Sequence, residues 1–467
     1  MERSIPVRET QQLSEYIAGL KYEDLPPAVV EQAKIAIRDA MGVALYSANL
    51  PWTTIVSEFA GESGAAGPAT LWGRSGSLSA PAAAMVNGTA AHGIEMDDRS
   101  AALDLHNGAP TIPAAIATAQ YSGASGRELI TAVVAGYEVA YRVARATQGG
   151  ITRFYWVSIR SILGAATAAA MANRLDADGL VNTLGIVGSF ASGLLAHMQE
   201  SKGTMVKRLQ GGGWPSQAGV TAALLAGRGF TGPSTILEGE FGICSAFSTE
   251  KAPRMEALVA DLGGGFEITG WETKPYAAVG HLHSTIDAIG ELRGRPGFEP
   301  GKVTAIEVAC STKITPNVDN NPPQSLMAAQ RSLNFIAATA LFHDLRDAGT
   351  WREDILEDKR LTSLVPNVTT VIDPEIEEIY RATNDHGGVR ITVTMEDGST
   401  HTAAVRHAVG TLANPMSKEQ LVGKYSLLAE RTLPAEQVHA LSAWIDDLDQ
   451  HQDLSGLDAL VTPKDGK

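Results

Sequence analysis

This sequence contains few cysteines and few aromatic residues, and it has no excess of positive charge. Only two of its 467 residues are cysteine, and Cys244 and Cys310 lie far apart and outside any CxxC pair. This disfavours a zinc knuckle, a redox motif and an iron–sulfur cluster held by three thiolates. The 37 basic and 52 acidic residues give a net charge of −15, which argues against nucleic acid and anionic membranes as partners.

Long apolar runs are also missing. No stretch reaches the roughly 18 uncharged apolar residues that a membrane-spanning helix needs. Residues 1–6 (MERSIP) contain nothing like the apolar segment of a signal peptide. Two distant cysteines give no sign of a disulfide framework, and such cysteines are typical of the cytosol, where thiols stay reduced. We therefore expect a cytoplasmic protein without a membrane partner.

Small residues are abundant instead, and their spacing is typical of closely packed helices. Apolar periodicity predicts amphipathic helices at residues 10–20 and 27–46. Further helical patterns lie at residues 79–92, 110–121, 125–147, 161–174, 177–195 and 214–229. Because the connections are short and strand signals are rare, these patterns predict a mostly α protein with a helical domain of about 260 residues.

The pattern changes near residue 265. Alternating β-branched residues predict strands at residues 266–269, 303–310, 389–395 and 400–406, and an Asp-Gly pair at 397–398 predicts a hairpin between the last two. Helices are expected among the strands at 283–293, 331–344 and 374–381, and after them at 417–430 and 434–448. A chain of this length exceeds one ordinary core. We therefore expect a helical domain at 1–267 and 409–467, and a smaller α+β domain at 268–408.

The densest charge in the sequence lies between His92 and His106. This stretch holds two imidazoles, four carboxylates and one guanidinium between two apolar helical segments. Carboxylates beside imidazoles suit proton transfer, because each can shift the pKa of the other toward neutrality. The spacing does not match a metal motif such as HExxH, so metal binding is disfavoured. The alternative is an ion-paired helix junction without catalytic function.

Two further segments combine cations or imidazoles with helix starts. Lys207 and Arg208 precede three glycines that enter a helix, where backbone N–H groups and the cations can hold an anion. The alternative is a tight turn with solvated charges. Lys274 lies shortly before His281 and His283, and only one of the two histidines is expected to face a cleft, because His283 opens the following helix. A purely structural histidine is the alternative there.

Taken in order, these segments resemble the MmgE/PrpD family of carboxylic acid dehydratases, decarboxylases and epimerases. The resemblance covers nearly the whole chain. The blocks that carry it are VNGTAAH at 86–92, HNGAPTIPAA at 106–115, VKRL at 206–209, GFTGP at 229–233, KPY at 274–276, HSTID at 283–287 and NPMS at 414–417. Each block is weak by itself, but the ordered series is specific.

The resemblance implies a large all-helical domain built from both chain ends, with the α+β domain inserted as a lid. It also implies a homodimer, an active site in the cleft between the domains, and chemistry without a metal or an organic cofactor. Residue by residue, Lys207 matches the family's active-site lysine, His106 the histidine after the acidic motif, and His283 the lid histidine.

Four positions depart from the family pattern. Glu95 and Arg99 stand where an Asp and a small hydroxyl residue are usual. Tyr155 falls where a catalytic histidine is common, and Phe335 replaces a tyrosine. The Tyr155 hydroxyl can still donate a proton, and Arg99 adds a cation with bidentate geometry for a carboxylate.

The leading hypothesis is a cofactor-independent, dehydratase-type lyase that removes a proton next to a carboxylate of a small acid. His106 and His283 form the acid/base pair, Glu95 or Asp97 orients an imidazole, and Tyr155 donates a proton to the leaving group. Four cations bind carboxylates or stabilise enolate-like charge: Lys207, Arg208, Arg99 and Lys274. The alternatives are an epimerase or isomerase, a cis-aconitate-type decarboxylase, and a non-catalytic ligand-binding protein.

Overall fold

The computed structural model describes residues 8–200, 202–385 and 388–464. Residues 1–7, on which the signal-peptide expectation falls, lie outside this range. The first half of the chain is helical, with a two-stranded antiparallel sheet of β1 (Ala69–Thr70) and β2 (Ser77–Leu78). Its helices are α1 (Glu9–Ala18), α2 (Pro27–Ser47), α3 (Pro51–Ser63), α4 (Ala80–Ala91), α5 (Gly108–Ser122), α6 (Gly126–Ala146), α7 (Trp156–Ala172), α8 (Ala177–Gly188), α9 (Val206–Arg208), α10 (Trp214–Ala226) and α11 (Ile243–Phe247).

Small residues let these helices pack with little space between their backbones. Helices α4, α5 and α7 are rich in alanine and almost entirely buried, and α10 buries about half of its residues. Where α6 meets α7, a Cβ atom on Gly136 would lie 2.7 Å from the carbonyl oxygen of Gly164. Only glycine allows this approach. Helices that pack this closely leave little room between them for aromatic side chains, in agreement with the low aromatic content.

The C-terminal helices return to this helical core. They are α17 (Lys418–Ala429), α18 (Ala435–Asp446) and α19 (Leu457–Val461). Helix α17 packs on α2, where the Lys424 ammonium lies 2.5 Å from the Asp39 carboxylate. Helix α18 contacts the same helix, and Arg38 donates to the Asp446 side chain at 2.6 Å. Helices from both chain ends therefore share one packed layer.

An α+β unit lies between them in sequence. Its sheet has the order β4 (Val368–Ile372), β3 (Val303–Cys310), β5 (Val389–Met395) and β6 (Thr400–Val405), with β3 and β4 parallel and the other pairs antiparallel. Helices α12 (His283–Arg293) and α14 (Leu333–Phe342) pack together beside it and share its apolar core. The unit also holds α13 (Leu326–Ala329), α15 (Lys359–Leu364) and α16 (Pro374–Thr383).

These observations confirm the mostly α fold class with a smaller α+β portion. The boundaries at residues 268 and 408 stay a prediction. One predicted strand is wrong: residues 266–269 enter a 3-10 turn, Glu267–Gly270, instead. The backbone N–H of Glu267 donates to the Glu138 carboxylate at 3.1 Å, so this segment packs on α6 and not in the sheet. Strand β4 was not predicted. None of the helices in the described ranges is long and apolar enough to cross a membrane.

Candidate active site

A cavity of about 480 Å³ lies between loops of the helical layer and residues 274–331. This volume suits a small-molecule ligand. A larger cavity of about 710 Å³ lies near residues 453–462, and no lysine, arginine or histidine is among the described residues of its wall, which makes it a poor site for acid/base chemistry. Six of the nine sequence-predicted site residues line the smaller cavity: Glu95, Arg99, His106, Tyr155, Lys207 and Lys274.

The acidic loop begins where α4 ends at His92. Glu95 has a φ of 58°, a left-handed conformation that costs a residue with a Cβ atom roughly 1–2 kcal/mol. Its carboxylate forms ion pairs with Lys207 and, at 2.8 Å, with Arg208. The Lys274 ammonium lies 4.0 Å away. Glu95 thus contacts cations and no imidazole, so its place in this loop is explained by charge compensation.

Lys207 reaches the cavity from α9, just before the glycine run. The glycines form one π-helical turn, Leu209–Gly213, and a Cβ atom on Gly212 would lie 2.0 Å from the carbonyl oxygen of Gly88. The run therefore packs against α4 and does not line the cavity, so the suggested anion site on its N–H groups has no support. Burial and the charge of Arg208 lower the pKa of Lys207, whereas the Glu95 carboxylate favours its charged form.

Asp97 holds both imidazoles of the loop with one oxygen. Its Oδ2 lies 2.9 Å from Nδ1 of His92 and 3.0 Å from Nδ1 of His106, which also lies 2.9 Å from the carbonyl oxygen of Asp98. Burial opposes ionisation of Asp97, but His92 and Lys274 outweigh it and hold its pKa well below the usual range. An ionised carboxylate only accepts hydrogen bonds, so both Nδ1 atoms carry the proton. In a neutral ring this leaves Nε2 as the basic nitrogen of His106, which lines the cavity.

Behind the cavity wall, His92 connects Asp97 to Tyr155. Burial lowers the pKa of His92 to about 3 despite the nearby Asp97 charge, so its ring is neutral at neutral pH. Its Nε2 therefore accepts a hydrogen bond and lies 3.5 Å from the Tyr155 hydroxyl. Burial raises the pKa of Tyr155, so the phenol is protonated at neutral pH.

The α+β unit contributes His281 to the cavity and keeps His283 out of it. The Nε2 atom of His281 lies 2.6 Å from Oδ1 of Asn317, and both residues line the cavity. Burial lowers the pKa of His281 to about 4. His283 is buried, with Nε2 3.1 Å from the carbonyl oxygen of Ala278 and its ring against Tyr276. The lid histidine at the cavity is therefore His281, two residues before the predicted one.

The remaining predicted cations differ in their access to the cavity. Arg99 lines it, and its Nε lies 2.9 Å from a carboxylate oxygen of Glu272. Lys274 lines it too, fully buried, with its Nζ 3.5 Å from Oδ1 of Asp97. Arg208 is buried behind Glu95 and does not line the cavity, so it acts on that carboxylate.

Comparison with known proteins matches both halves of the chain to one family. Residues 11–256 match the family model of the MmgE/PrpD N-terminal domain. Residues 276–450 match that of the MmgE/PrpD C-terminal domain. The chain belongs to the MmgE/PrpD family. The family resemblance found in the sequence is thereby confirmed.

Individual MmgE/PrpD relatives are similar over nearly their whole length. A cis-aconitate decarboxylase of Aspergillus terreus is 26% identical over 96% of this chain and 94% of its own. The cis-aconitate decarboxylase of Homo sapiens is 25% identical over 97% of this chain and 94% of its own. A cis-aconitate decarboxylase-like protein of Aspergillus oryzae is 25% identical over 97% of each chain.

Sequence reasoning missed several residues of this MmgE/PrpD cavity. His92 was noticed in the charged loop but given no role, and Lys313, Asn317 and Arg331 were not considered. His92 ends α4 only five residues before Asp97, a spacing that could have indicated their contact. The other three come from a distant part of the chain, and nothing local in the sequence indicates that they reach the acidic loop.

Proposed function

We propose that this chain is a lyase that removes a proton next to a carboxylate of a small organic acid and then expels a leaving group. The observation that carries the proposal is the position of His106. Its Nδ1 lies 3.0 Å from the Asp97 carboxylate and 2.9 Å from the carbonyl oxygen of Asp98, and the ring lines a cavity together with Lys207 and Lys274. An imidazole oriented in this way presents Nε2 as a general base. Nearby ammonium groups stabilise the enolate-like charge that develops on the substrate.

Loss of water is the leading reaction. In this scheme His106 takes the proton from carbon, the enolate-like electrons form the double bond, and hydroxide leaves with a proton from Tyr155. The Tyr155 phenol lines the cavity and is protonated at neutral pH, as a donor role requires, although burial raises its pKa and so makes it a weaker acid. Lys207, Lys274 and Arg99 bind the substrate carboxylates. Every step uses side chains of this chain.

Decarboxylation of a cis-aconitate-type acid is the second candidate. It is favoured by relatives that bear this name and align over nearly their full length. The same cavity can stabilise the carbanion that loss of CO₂ leaves, and an acid such as Tyr155 can protonate it. Proton removal and return without elimination, as in an epimerase, remains the third reaction that this geometry supports.

One NMR experiment in deuterated buffer separates these reactions. The protein is incubated with citrate, 2-methylcitrate, cis-aconitate and malate. An unsaturated acid formed from a hydroxy acid supports dehydration, and loss of one carboxyl group supports decarboxylation. Deuterium at the carbon without a net product supports an epimerase. Binding without exchange or turnover would contradict the enzyme proposal.

Replacement of the proposed base tests the assignment directly. His106→Gln should lower turnover about 100- to 10,000-fold, the usual range for loss of a general base. The matched control is His439→Gln on the exposed side of α18, which should leave turnover unchanged. Full activity in His106→Gln would overturn the proposed mechanism.

A further inference from the structure

Five lysine and arginine side chains line the cavity, and they differ in whether a protein carboxylate lies near enough to balance their positive charge. Four of them have a protein carboxylate within 4.0 Å: Arg99 has Glu272, Lys207 has Glu95, Lys274 has Asp97, and Lys313 has Asp104. The fifth is Arg331. Within residues 8–200, 202–385 and 388–464, no carboxylate lies within ion-pair distance of its guanidinium.

The backbone around Arg331 is held at the cavity on both sides. Gln330 donates from Nε2 to the carbonyl oxygen of Ile94 at 3.2 Å and accepts a hydrogen bond from Arg208 at 3.2 Å. Asn317 donates from Nδ2 to the carbonyl oxygen of Arg331 at 2.8 Å. The segment after α13 is thus attached to the acidic loop and to the turn that carries Asn317. These contacts fix the origin of the Arg331 side chain.

The guanidinium of Arg331 lies close to the proposed reaction groups. Its charge contributes to the pKa of Tyr155 and of Lys207. A partly buried guanidinium without a partner is unfavourable unless a bound anion compensates it. A second observation leaves room for an anionic ligand. Nζ of Lys274, which is 1% exposed and lines the same cavity, lies 3.5 Å from Oδ1 of Asp97 but makes no hydrogen bond in the described part of the chain, so its N–H groups can donate to a ligand.

We propose that Arg331 is a specificity-determining residue that binds a second carboxylate of the substrate. The first carboxylate is bound at Lys274 and Lys207, beside the base His106. This inference rests on the proposed function for the identity of the base, and it adds the residue that selects acids with a second carboxylate. Arg331 suits this task because its planar guanidinium can donate two parallel hydrogen bonds to one carboxylate.

Calorimetric binding of unreactive acids tests the proposal without requiring turnover. The probes are tricarballylate, with three carboxylates, and butyrate, with one. Arg331→Gln should weaken tricarballylate binding about 10- to 100-fold, as expected for loss of a charged hydrogen-bonding partner, and change butyrate binding less than about two-fold. Arg331→Lys should restore part of the affinity. The control Arg352→Gln removes an exposed arginine paired with Asp354 and should change neither affinity.

The outcomes separate this inference from the proposed function. The role of Arg331 would be overturned if Arg331→Gln lost equal affinity for both acids, or lost no affinity for either. It would also be overturned if the wild-type protein bound neither acid. If Arg331→Gln does not fold, Arg331→Lys provides the test. A weaker affinity for tricarballylate than that of the wild type, with unchanged affinity for butyrate, would support the proposal, and unchanged affinity for both acids would contradict it. His106→Gln should bind tricarballylate normally. Tight binding that depends on Arg331, without turnover of any acid, would support this inference and contradict only the lyase.

Discussion

A single carboxylate, that of Asp97, contacts two imidazoles that lie in different environments. His106 faces the cavity, whereas His92 is buried and contacts Tyr155. The sequence allowed the acid/base cluster to be recognised, since Asp97 and His106 stand close together in the chain. It did not identify which lid histidine joins them. A 3-10 turn, Gly280–Leu282, precedes α12, so His281 and His283 point in different directions.

Gly280 leaves room for the Arg99 guanidinium, and we expect Gly280→Ala to impair substrate binding. A Cβ atom there would lie 2.0 Å from an Arg99 nitrogen. Because the clash involves the end of a flexible side chain, the guanidinium moves and the fold survives. KM should rise about 10-fold, the effect of losing one charged hydrogen bond, with little change in thermal stability. Gly290→Ala, in α12 with open space around it, should leave KM unchanged. An unchanged KM in Gly280→Ala would argue against a binding role for Arg99.

Helices were the most predictable elements of this chain. Residues 27–46 and 283–293 were predicted as helices, and α2 and α12 occupy Pro27–Ser47 and His283–Arg293. Apolar periodicity, proline at first turns and glycine breaks are local signals, which explains this agreement. The strand predicted at 266–269 failed because three apolar or β-branched residues around Glu267 do not reveal whether a partner strand exists. Strand β4 was missed although all five of its residues (VTTVI) are β-branched, because it is short and its partner β3 lies about 60 residues earlier.

Helix α17 carries an ion pair that joins the C-terminal helices to α2 and the acidic loop. The buried Lys424 ammonium contacts Asp39 at 2.5 Å and donates to the carbonyl oxygen of Met96 at 2.8 Å. Lys424→Met leaves a buried carboxylate without its partner and should lower the free energy of unfolding by about 3–5 kcal/mol. Lys418→Met, in the same helix, removes an exposed ion pair with Glu31 and should cost less than about 0.5 kcal/mol. Urea denaturation compares them, and equal losses would contradict this explanation.

Ionisation of Asp98 should lower the stability of the whole molecule between about pH 4 and 7, whereas the buried His92 and His281, with lowered pKa values, raise it over the same range. Burial raises the pKa of Asp98 to about 7, although the Tyr137 hydroxyl and the Gly108 N–H both donate to it. In this range the folded protein keeps a proton that the unfolded chain releases, so deprotonation favours unfolding. The loss amounts to on the order of 4 kcal/mol and is complete above pH 7.

Asp98→Asn provides the measurement for this pH effect. The amide does not titrate, so in urea titrations between pH 4 and 8 the free energy of unfolding of the wild type should fall relative to that of the variant. Other groups titrate equally in both proteins and cancel in the comparison, including Glu267, with a pKa raised by burial to about 7, and His92 and His281, with pKa values lowered by burial. Parallel pH profiles for the two proteins would show that Asp98 does not cause the effect.

Residue types and local spacing were sufficient for the mostly α fold, the family and the charged loop from His92 to His106. Periodicity, turn residues and short sequence blocks are local signals, because each depends on only a few neighbouring residues. The composition of the cavity depended on the tertiary structure, which brings residues 274–331 over that loop. Contacts such as Gln330 with Ile94 form between segments more than 200 residues apart. Which imidazole, arginine or lysine reaches a cavity is decided by packing of whole elements, and no local pattern records it.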